Sequence, residues 1–381
     1  MKSDKYTILF LSSWYPTRLF PFSGDFVKRH AKAVSLYSKV ICFHVIKDEN
    51  LTVKEDKLET IDENLHEIIY YFKSKWFSKI IYLVIYFKGL KYILKKFGKP
   101  DLIHGNVLYP IGIIVFLFSV IFKIPYVITE HWTGFLNSTY EKFPMLKKTI
   151  FNYIAKKAKL ILPVTANLKE AMIEAGIKAD YKVIPNVVET SIFRYEDINS
   201  QGEKIILHIS NLRDDHKNIS GLLKVISKLS IKRQDFVLNI IHSEENELLK
   251  ELSDSLNLTG TFVKFCGRKD YNEVAEYMSQ SAFLVLFSNY ENLPCVIVEA
   301  LASGLPVLST DVGGIREHLD NKKGILIEKG DEEALLIKMN YMLDHFQEYD
   351  KKMLHDYAVS NFSYEKIGFD FNTIYRDILN V

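Results

Sequence analysis

The 381-residue sequence has only three cysteines and no long apolar run. Cys42, Cys266 and Cys295 are scattered and form no C-x-x-C pair, which excludes a disulfide framework. The longest apolar stretch, residues 109–122, is shorter than the roughly 20 residues that a membrane-spanning helix needs. These shortages predict a globular protein of the reducing cytoplasm.

Several motifs of metal and nucleotide enzymes are also missing. The sequence contains no D-x-D for a metal-bound diphosphate, no H-E-x-x-H and no G-x-x-x-x-G-K-[ST]. Their absence argues against a magnesium-dependent transferase, a zinc hydrolase and a P-loop enzyme.

The net charge is small, at +2, but it is unevenly distributed. Residues 1–190 hold 28 Lys and Arg against 17 Asp and Glu, a net charge of +11, whereas residues 191–381 carry a net charge of −9. An asymmetry of this size is typical of two halves that have different partners.

What the sequence does contain is a regular alternation of short apolar runs and longer helical patterns. Runs such as VLFS and PVLST are apolar throughout, as strands buried on both faces should be. This alternation predicts an α/β protein with two Rossmann-like, doubly wound parallel-sheet domains that face a central cleft. A polar stretch at 189–203 is the predicted linker, so we expect domains at 1–189 and 190–362 and a final helix at 363–381.

Ligands of such sheets bind beyond the carboxyl ends of the strands, and the strongest polar cluster follows a strand in the second half. Glu291 follows the run AFLVLF, and Glu299 lies in the apolar segment CVIVEALA. A carboxylate buried on a helix needs a partner, and the hydroxyls of a ligand would provide one. The alternative is a solvated glutamate on an amphipathic helix.

Glu291 and Glu299 stand eight residues apart, with Pro294 between them, ALASGLPV after them and STDVGGIRE in the next loop. This pattern resembles the E-x7-E signature of retaining glycosyltransferases of family 4 (glycosyl transferases group 1), which have the GT-B fold. The resemblance implies that Glu299 holds the ribose of a nucleoside diphosphate sugar and that Glu291 contacts the donor sugar. It also implies that the backbone of Asn292 and Leu293 lies near the phosphates, although the family often has Gly where Asn292 stands.

A second cluster follows the run IILHIS and contains Asn211, Arg213 and Lys217. Negative charge builds on a departing diphosphate, so cations and the N-terminus of the following helix would stabilise it. The family has an Arg and a Lys in this loop, and many members carry the Arg where this chain has Asn211. The alternative is a solvated run of charges that caps a helix.

Two positions in the first half complete the predicted site. His131 follows the run YVIT, where family members carry a His that contacts the donor sugar and the reacting centre. Gly24 lies in the loop before the first helix, where the family uses glycine to bring backbone close to the phosphate and the acceptor. A structural histidine and a plain strand–helix turn are the respective alternatives.

The basic half contains an apolar, aromatic segment at residues 76–99, in which Lys88, Lys91, Lys95 and Lys99 recur at spacings of three and four. This pattern is typical of a helix that lies on an anionic bilayer. It is equally typical of a helix that packs within its own domain and exposes its lysines to solvent, and the sequence does not decide between these two interpretations. No recognised nucleic-acid-binding motif accompanies the lysines, so no nucleic-acid partner is expected.

These observations predict a retaining hexosyltransferase, cytoplasmic and peripheral on the inner face of the plasma membrane. It would move a sugar from a nucleoside diphosphate donor, such as a UDP- or GDP-sugar, to a hydroxyl of a lipid-linked or saccharide acceptor in polysaccharide or glycan synthesis. The family implies no metal and no other cofactor, and a final helix that crosses back to the first domain. A GT-B sugar-nucleotide 2-epimerase and a non-catalytic membrane-docking subunit remain as alternatives.

Overall fold

A computed structural model describes residues 5–196 and 203–380, and the chain divides into two compact units. The first unit takes the residues up to Val187 and those from Tyr364 onward, and the second unit takes Val188–Ser363. Part of the predicted linker, residues 197–202, and the last residue of the predicted final helix lie outside the described residues. Within the described ranges, no helix combines the length and the apolar character that crossing a bilayer requires.

The structure contains strands and helices in regular alternation. The strands are β1 (Thr7–Ser12), β2 (Lys39–Lys47), β3 (Glu55–Asp62), β4 (Leu65–Phe72), β5 (Leu102–Asn106), β6 (Tyr126–Glu130), β7 (Leu160–Pro163), β8 (Lys204–Ser210), β9 (Phe236–His242), β10 (Val263–Gly267), β11 (Phe283–Leu286), β12 (Val307–Thr310) and β13 (Gly324–Ile327). The α-helices are α1 (Asp25–Ser35), α2 (Ser78–Phe97), α3 (Gly112–Phe122), α4 (Met145–Lys157), α5 (Ala166–Glu174), α6 (Asp214–Lys217), α7 (Ile219–Ser230), α8 (Glu247–Ser255), α9 (Tyr271–Gln280), α10 (Cys295–Ala302), α11 (Glu332–His345), α12 (Lys351–Phe362) and α13 (Tyr364–Leu379).

The first unit is built on a seven-stranded sheet in the order β3-β4-β2-β1-β5-β6-β7. All neighbouring strands are parallel except β3 and β4, which form an antiparallel pair at one edge. Helices α2 to α5 pack on one face of the sheet, and α1 and α13 pack on the other. The central strands are therefore buried on both faces, which explains their continuous apolar runs.

The second unit is built on a six-stranded, fully parallel sheet in the order β10-β9-β8-β11-β12-β13. Every residue of β11 is buried, as is every residue of β9 and β12. Because all these strands run the same way, the loops that follow β8, β11 and β12 lie at one edge of the sheet.

Candidate active site

Two of the predicted residues meet at the carboxyl edge of the second sheet. The chain leaves β8 and forms the short helix α6, which ends at Lys217, and the loop after β11 carries Glu291. The Nζ of Lys217 lies 2.5 Å from Oε1 of Glu291, and both side chains are largely buried, with 13% and 6% of their surface exposed. Asn218 then adopts the left-handed conformation and is the N-cap residue of α7, so Lys217 also lies beside the N-terminus of that helix.

Further polar groups fix the carboxylate of Glu291. The Oγ–H of Ser288 donates to Oε1 of Glu291 at 2.7 Å, and the backbone carbonyl of Ser288 accepts from Thr310 Oγ1 at 2.7 Å. The imidazole of His216 stacks on the ring of Tyr290, with centroids 4.2 Å apart and planes inclined by 8°. Its Nε2 lies 3.6 Å from Oε2 of Glu291, which is too long for a hydrogen bond.

The surroundings of Glu291 determine its protonation state. Burial raises the pKa of this carboxyl, but the charge of Lys217 and the neighbouring imidazole of His216 outweigh burial and lower the pKa to about 2. Glu291 is therefore ionised at neutral pH, and the site holds a buried pair of opposite charges at a helix N-terminus. Such a pair keeps a cation in place where an anionic ligand can compete for it.

The loop after β12 supports the backbone that carries Glu291. Gly313 has a φ of +60°, and a Cβ at this position would lie 2.0 Å from the carbonyl oxygen of Glu291. Gly314 donates its N–H to the carbonyl of Asn292 at 3.0 Å. Only glycine allows this approach at position 313, and the backbone N–H of Gly314 adds a second contact that positions the Glu291 loop.

We expect Gly313→Ala to weaken ligand binding at this loop as well as to lower stability. The matched control is Gly330→Ala, since Gly330 has a φ of +77° and no described atom lies within 4 Å of its Cβ position. Both substitutions carry a left-handed strain of roughly 1–2 kcal/mol, but only Gly313→Ala displaces the backbone of Glu291. Urea unfolding and calorimetric titration with a nucleoside diphosphate measure the two effects, and equal titrations for the two variants would contradict this role.

The remaining predicted residues of the second unit lie in different surroundings. Arg213 is exposed and pairs with Asp215 at 3.0 Å, so its side chain does not join the Lys217–Glu291 pair. The side chain of Asn211 accepts from the backbone N–H of Arg213 at 3.4 Å. Glu299 is 4% exposed on α10, a helix whose other residues are apolar, and Leu293 packs in the core.

In the first unit, His131 lies in a buried group of rings at the end of β6. Its ring centroid is 4.3 Å from that of Phe26 and 5.3 Å from that of His30. Burial and the neighbouring His30 and His104 hold the pKa of His131 well below its usual value, against a hydrogen bond with Asn186. His131 is therefore neutral at pH 7. Gly24 has a φ of +71° and lies against the backbone of Trp14 before α1.

Glu130 positions the His131 loop, a role that the sequence did not reveal. This carboxylate is fully buried, and it accepts the backbone N–H groups of Leu108 at 2.8 Å, His131 at 2.9 Å and Trp132 at 2.8 Å. Burial raises the pKa of Glu130 to about 7, although these three hydrogen bonds favour its ionised form. The sequence likewise did not reveal the roles of Ser288 and His216. The available signal was their position, since Ser288 stands two residues after the end of β11 and His216 directly precedes Lys217.

Comparisons with known proteins assign the chain to a family. The model described as Glycosyltransferase Family 4 matches residues 44–192, and the model described as Glycosyl transferases group 1 matches residues 192–355. The chain is a family 4 glycosyltransferase. This family 4 glycosyltransferase is 26% identical over 375 residues to an uncharacterized glycosyltransferase of Methanocaldococcus jannaschii, covering 95% of this chain and 97% of that protein.

Solved structures show the fold of this family 4 glycosyltransferase. Sucrose-phosphate synthase from Thermosynechococcus elongatus matches with a TM-score of 0.80 at 19% identity, over 99% of this chain and 100% of that one. Anabaena HepE in complex with UDP and glucose matches with a TM-score of 0.74 at 17% identity, over 98% and 100% of the two chains. The predicted GT-B fold is confirmed. Among residues 5–196 and 203–380, no group of three or more His, Cys, Asp or Glu side chains is arranged to hold a metal ion.

Proposed function

We propose that this glycosyltransferase moves a sugar from a nucleoside diphosphate donor to a hydroxyl of a lipid-linked or saccharide acceptor, with retention of the anomeric configuration. The observation that carries the proposal is the buried Lys217–Glu291 pair at the carboxyl edge of the second sheet. A cation held beside a helix N-terminus suits a diphosphate, and a fixed carboxylate beside it suits sugar hydroxyls. The similarity to HepE, which was solved with UDP and glucose, supports a donor of this class.

The proposed roles follow from the chemistry of each group. Lys217 binds the diphosphate and stabilises the charge that grows on it as the glycosidic bond breaks. Glu291, ionised and oriented by Ser288, accepts hydrogen bonds from the donor sugar, while Glu299 accepts them from the ribose. Neutral His131 acts at the reacting centre, as the family resemblance implies. Arg213 would leave Asp215 to reach the diphosphate, and backbone at Asn292 and Gly24 would approach the phosphates.

No metal ion is needed in this scheme because Lys217 supplies the positive charge that a metal would otherwise supply. Transfer is therefore expected to continue in the presence of EDTA. The proposed mechanism is a front-face displacement, in which the leaving diphosphate and the incoming hydroxyl share one side of the sugar. The diphosphate then receives the proton that the acceptor hydroxyl loses.

The deciding experiment begins with a thermal-shift screen of UDP-, GDP-, ADP- and TDP-sugars, because a ligand that binds the folded state stabilises it. The selected donor is then incubated with candidate acceptors, and the anomeric configuration of the first product is read by NMR. We expect acceptor-dependent release of nucleoside diphosphate and a retained configuration. An inverted product would contradict the retaining mechanism, and conversion of the donor without any acceptor would instead indicate the 2-epimerase.

A further inference from the structure

Three of the four helices on one face of the first sheet contain no acidic residue. Helices α2, α3 and α4 contain 20, 11 and 13 residues, and these include nine lysines but no Asp or Glu. Protein surfaces normally intersperse both signs of charge. The outward side of these three helices, called here the α2–α4 face, therefore carries charge of one sign.

The α2–α4 face is also unusually apolar. The inward sides of the helices are buried against the sheet, and Gly89 of α2 sits directly on the ring of Phe43. The outward sides expose large apolar residues, among them Ile80, Val84, Val120, Met145 and Leu146. Of the 26 large apolar side chains that the described residues expose, 13 lie in these helices or in the two residues before α2. Scattered exposed apolar residues need no explanation, but such a concentration marks an interaction surface.

An open groove of about 500 Å³ lies on α2. Its apolar walls are Ile80, Leu83, Val84 and Phe87, and Lys88 and Lys91 stand at its C-terminal end. An open apolar surface with lysine side chains at one end suits acyl chains that carry anionic headgroups.

Some lysines of this face form ion pairs within the protein and others do not. Lys88 pairs with Glu55 and Lys96 pairs with Glu59, both carboxylates of the edge strand β3. In contrast, no carboxylate among the described residues lies within ion-pair distance of Lys91 or Lys95. These two ammonium groups are exposed on the same helix as the groove.

We propose that the α2–α4 face docks on an anionic lipid bilayer. A second copy of this chain would bring two acid-free, lysine-bearing surfaces together, so its charge would oppose association. Anionic headgroups complement the lysines, and the adjoining acyl region accepts the apolar side chains. This proposal deepens the proposed function, on which it rests for the nature of the acceptor.

The topology of the first unit links this face to the candidate site. Strand β4 is parallel to β2, β5 to β1 and β6 to β5, so α2, α3 and α4 all begin at the carboxyl edge of the sheet. His131 lies at the same edge, directly after β6. A bilayer on the α2–α4 face therefore lies beside the edge that carries His131, which suits a lipid-linked acceptor better than a freely diffusing one.

Flotation with vesicles tests the docking surface without any substrate. We expect wild-type protein to float with vesicles of mixed phosphatidylglycerol and phosphatidylcholine, and to float less with phosphatidylcholine alone or at high salt. The variant Lys91→Gln/Lys95→Gln is expected to bind the anionic vesicles about thirtyfold more weakly, at roughly a fivefold loss per lysine. The variant Ile80→Ser/Val84→Ser is expected to lose at least about tenfold at every lipid composition.

Matched changes on the second unit serve as controls. Ile231→Ser/Leu248→Ser removes apolar side chains that are more exposed than Ile80 and Val84, and Lys232→Gln/Lys329→Gln removes two exposed lysines, so neither should change flotation. Absence of wild-type flotation, or equal losses in control and test variants, would overturn the proposal. A concentration-dependent dimer that Ile80→Ser/Val84→Ser dissociates would overturn it in favour of a second copy. Nucleoside diphosphate binding, measured on every variant, should be unchanged, and its absence in the wild type would count against the proposed function instead.

Discussion

Replacing Lys217 with methionine is expected to lower kcat for sugar transfer by roughly 10²–10³-fold, the cost of removing one group that stabilises charge in a transition state. Methionine keeps much of the length and apolar stem of lysine but has no charge, so the departing diphosphate loses its buried cation. The measurement is release of nucleoside diphosphate in the presence of acceptor. Lys228→Met is the matched control, because Lys228 also pairs with a carboxylate, Glu332 at 3.1 Å, but on the surface.

Loss of activity in Lys217→Met has a second explanation, which a double variant separates. The single change leaves the carboxylate of Glu291 buried without its closest cation, and such a defect costs roughly 3–5 kcal/mol of unfolding free energy. Lys217→Met/Glu291→Gln removes that charge, so it should recover much of the stability while staying far less active than Glu291→Gln alone. Activity equal to that of Glu291→Gln would show that Lys217 serves the fold rather than the reaction.

The parallel parts of both sheets were predictable because their strands are short apolar runs buried on both faces. The hairpin of β3 and β4 was not, since β3 reads EDKLETID and carries five charged residues. Such a strand lies at the sheet edge, where charges on the exposed side oppose pairing with other chains. Residues 181–184 read YKVI, an apolar pattern that is typical of a short strand, but the structure has only an isolated bridge there, between Ile161 and Tyr181.

The meeting of Lys217 with Glu291 was predictable in outline, because both follow parallel strands whose carboxyl ends share one edge. The details were not, because loop backbones are fixed by contacts distant in sequence. Gly313 lies against the carbonyl of Glu291, which is 22 residues earlier in the chain, and Glu130 accepts a hydrogen bond from the N–H of Leu108 in another loop. Likewise, charge alone favoured Arg213 as a phosphate ligand, but nothing in the sequence placed its guanidinium beside Asp215.

Substitutions at the two glutamates of the E-x7-E pattern are expected to affect different parts of the donor, the nucleoside diphosphate and the sugar. Glu299→Gln should weaken binding of both the nucleoside diphosphate and its sugar conjugate by roughly 10- to 100-fold, because it removes a charged acceptor of ribose hydroxyls. Glu291→Gln should weaken only the conjugate, since its partner is the donor sugar. Calorimetric titration of each variant with the free diphosphate and with the nucleotide sugar gives four affinities that test this division.

Glu299→Gln and Glu291→Gln can be compared directly because each removes one charge from a largely buried side chain. Glu291→Gln also removes the ion pair with Lys217. Because the charge of Lys217 is then no longer neutralised, we expect the affinity for the free diphosphate to rise. Glu276→Gln on the exposed side of α9 is the control for charge alone and should change none of the affinities. If Glu299→Gln binds the free diphosphate normally, Glu299 is a structural carboxylate of α10 and the ribose must be recognised elsewhere.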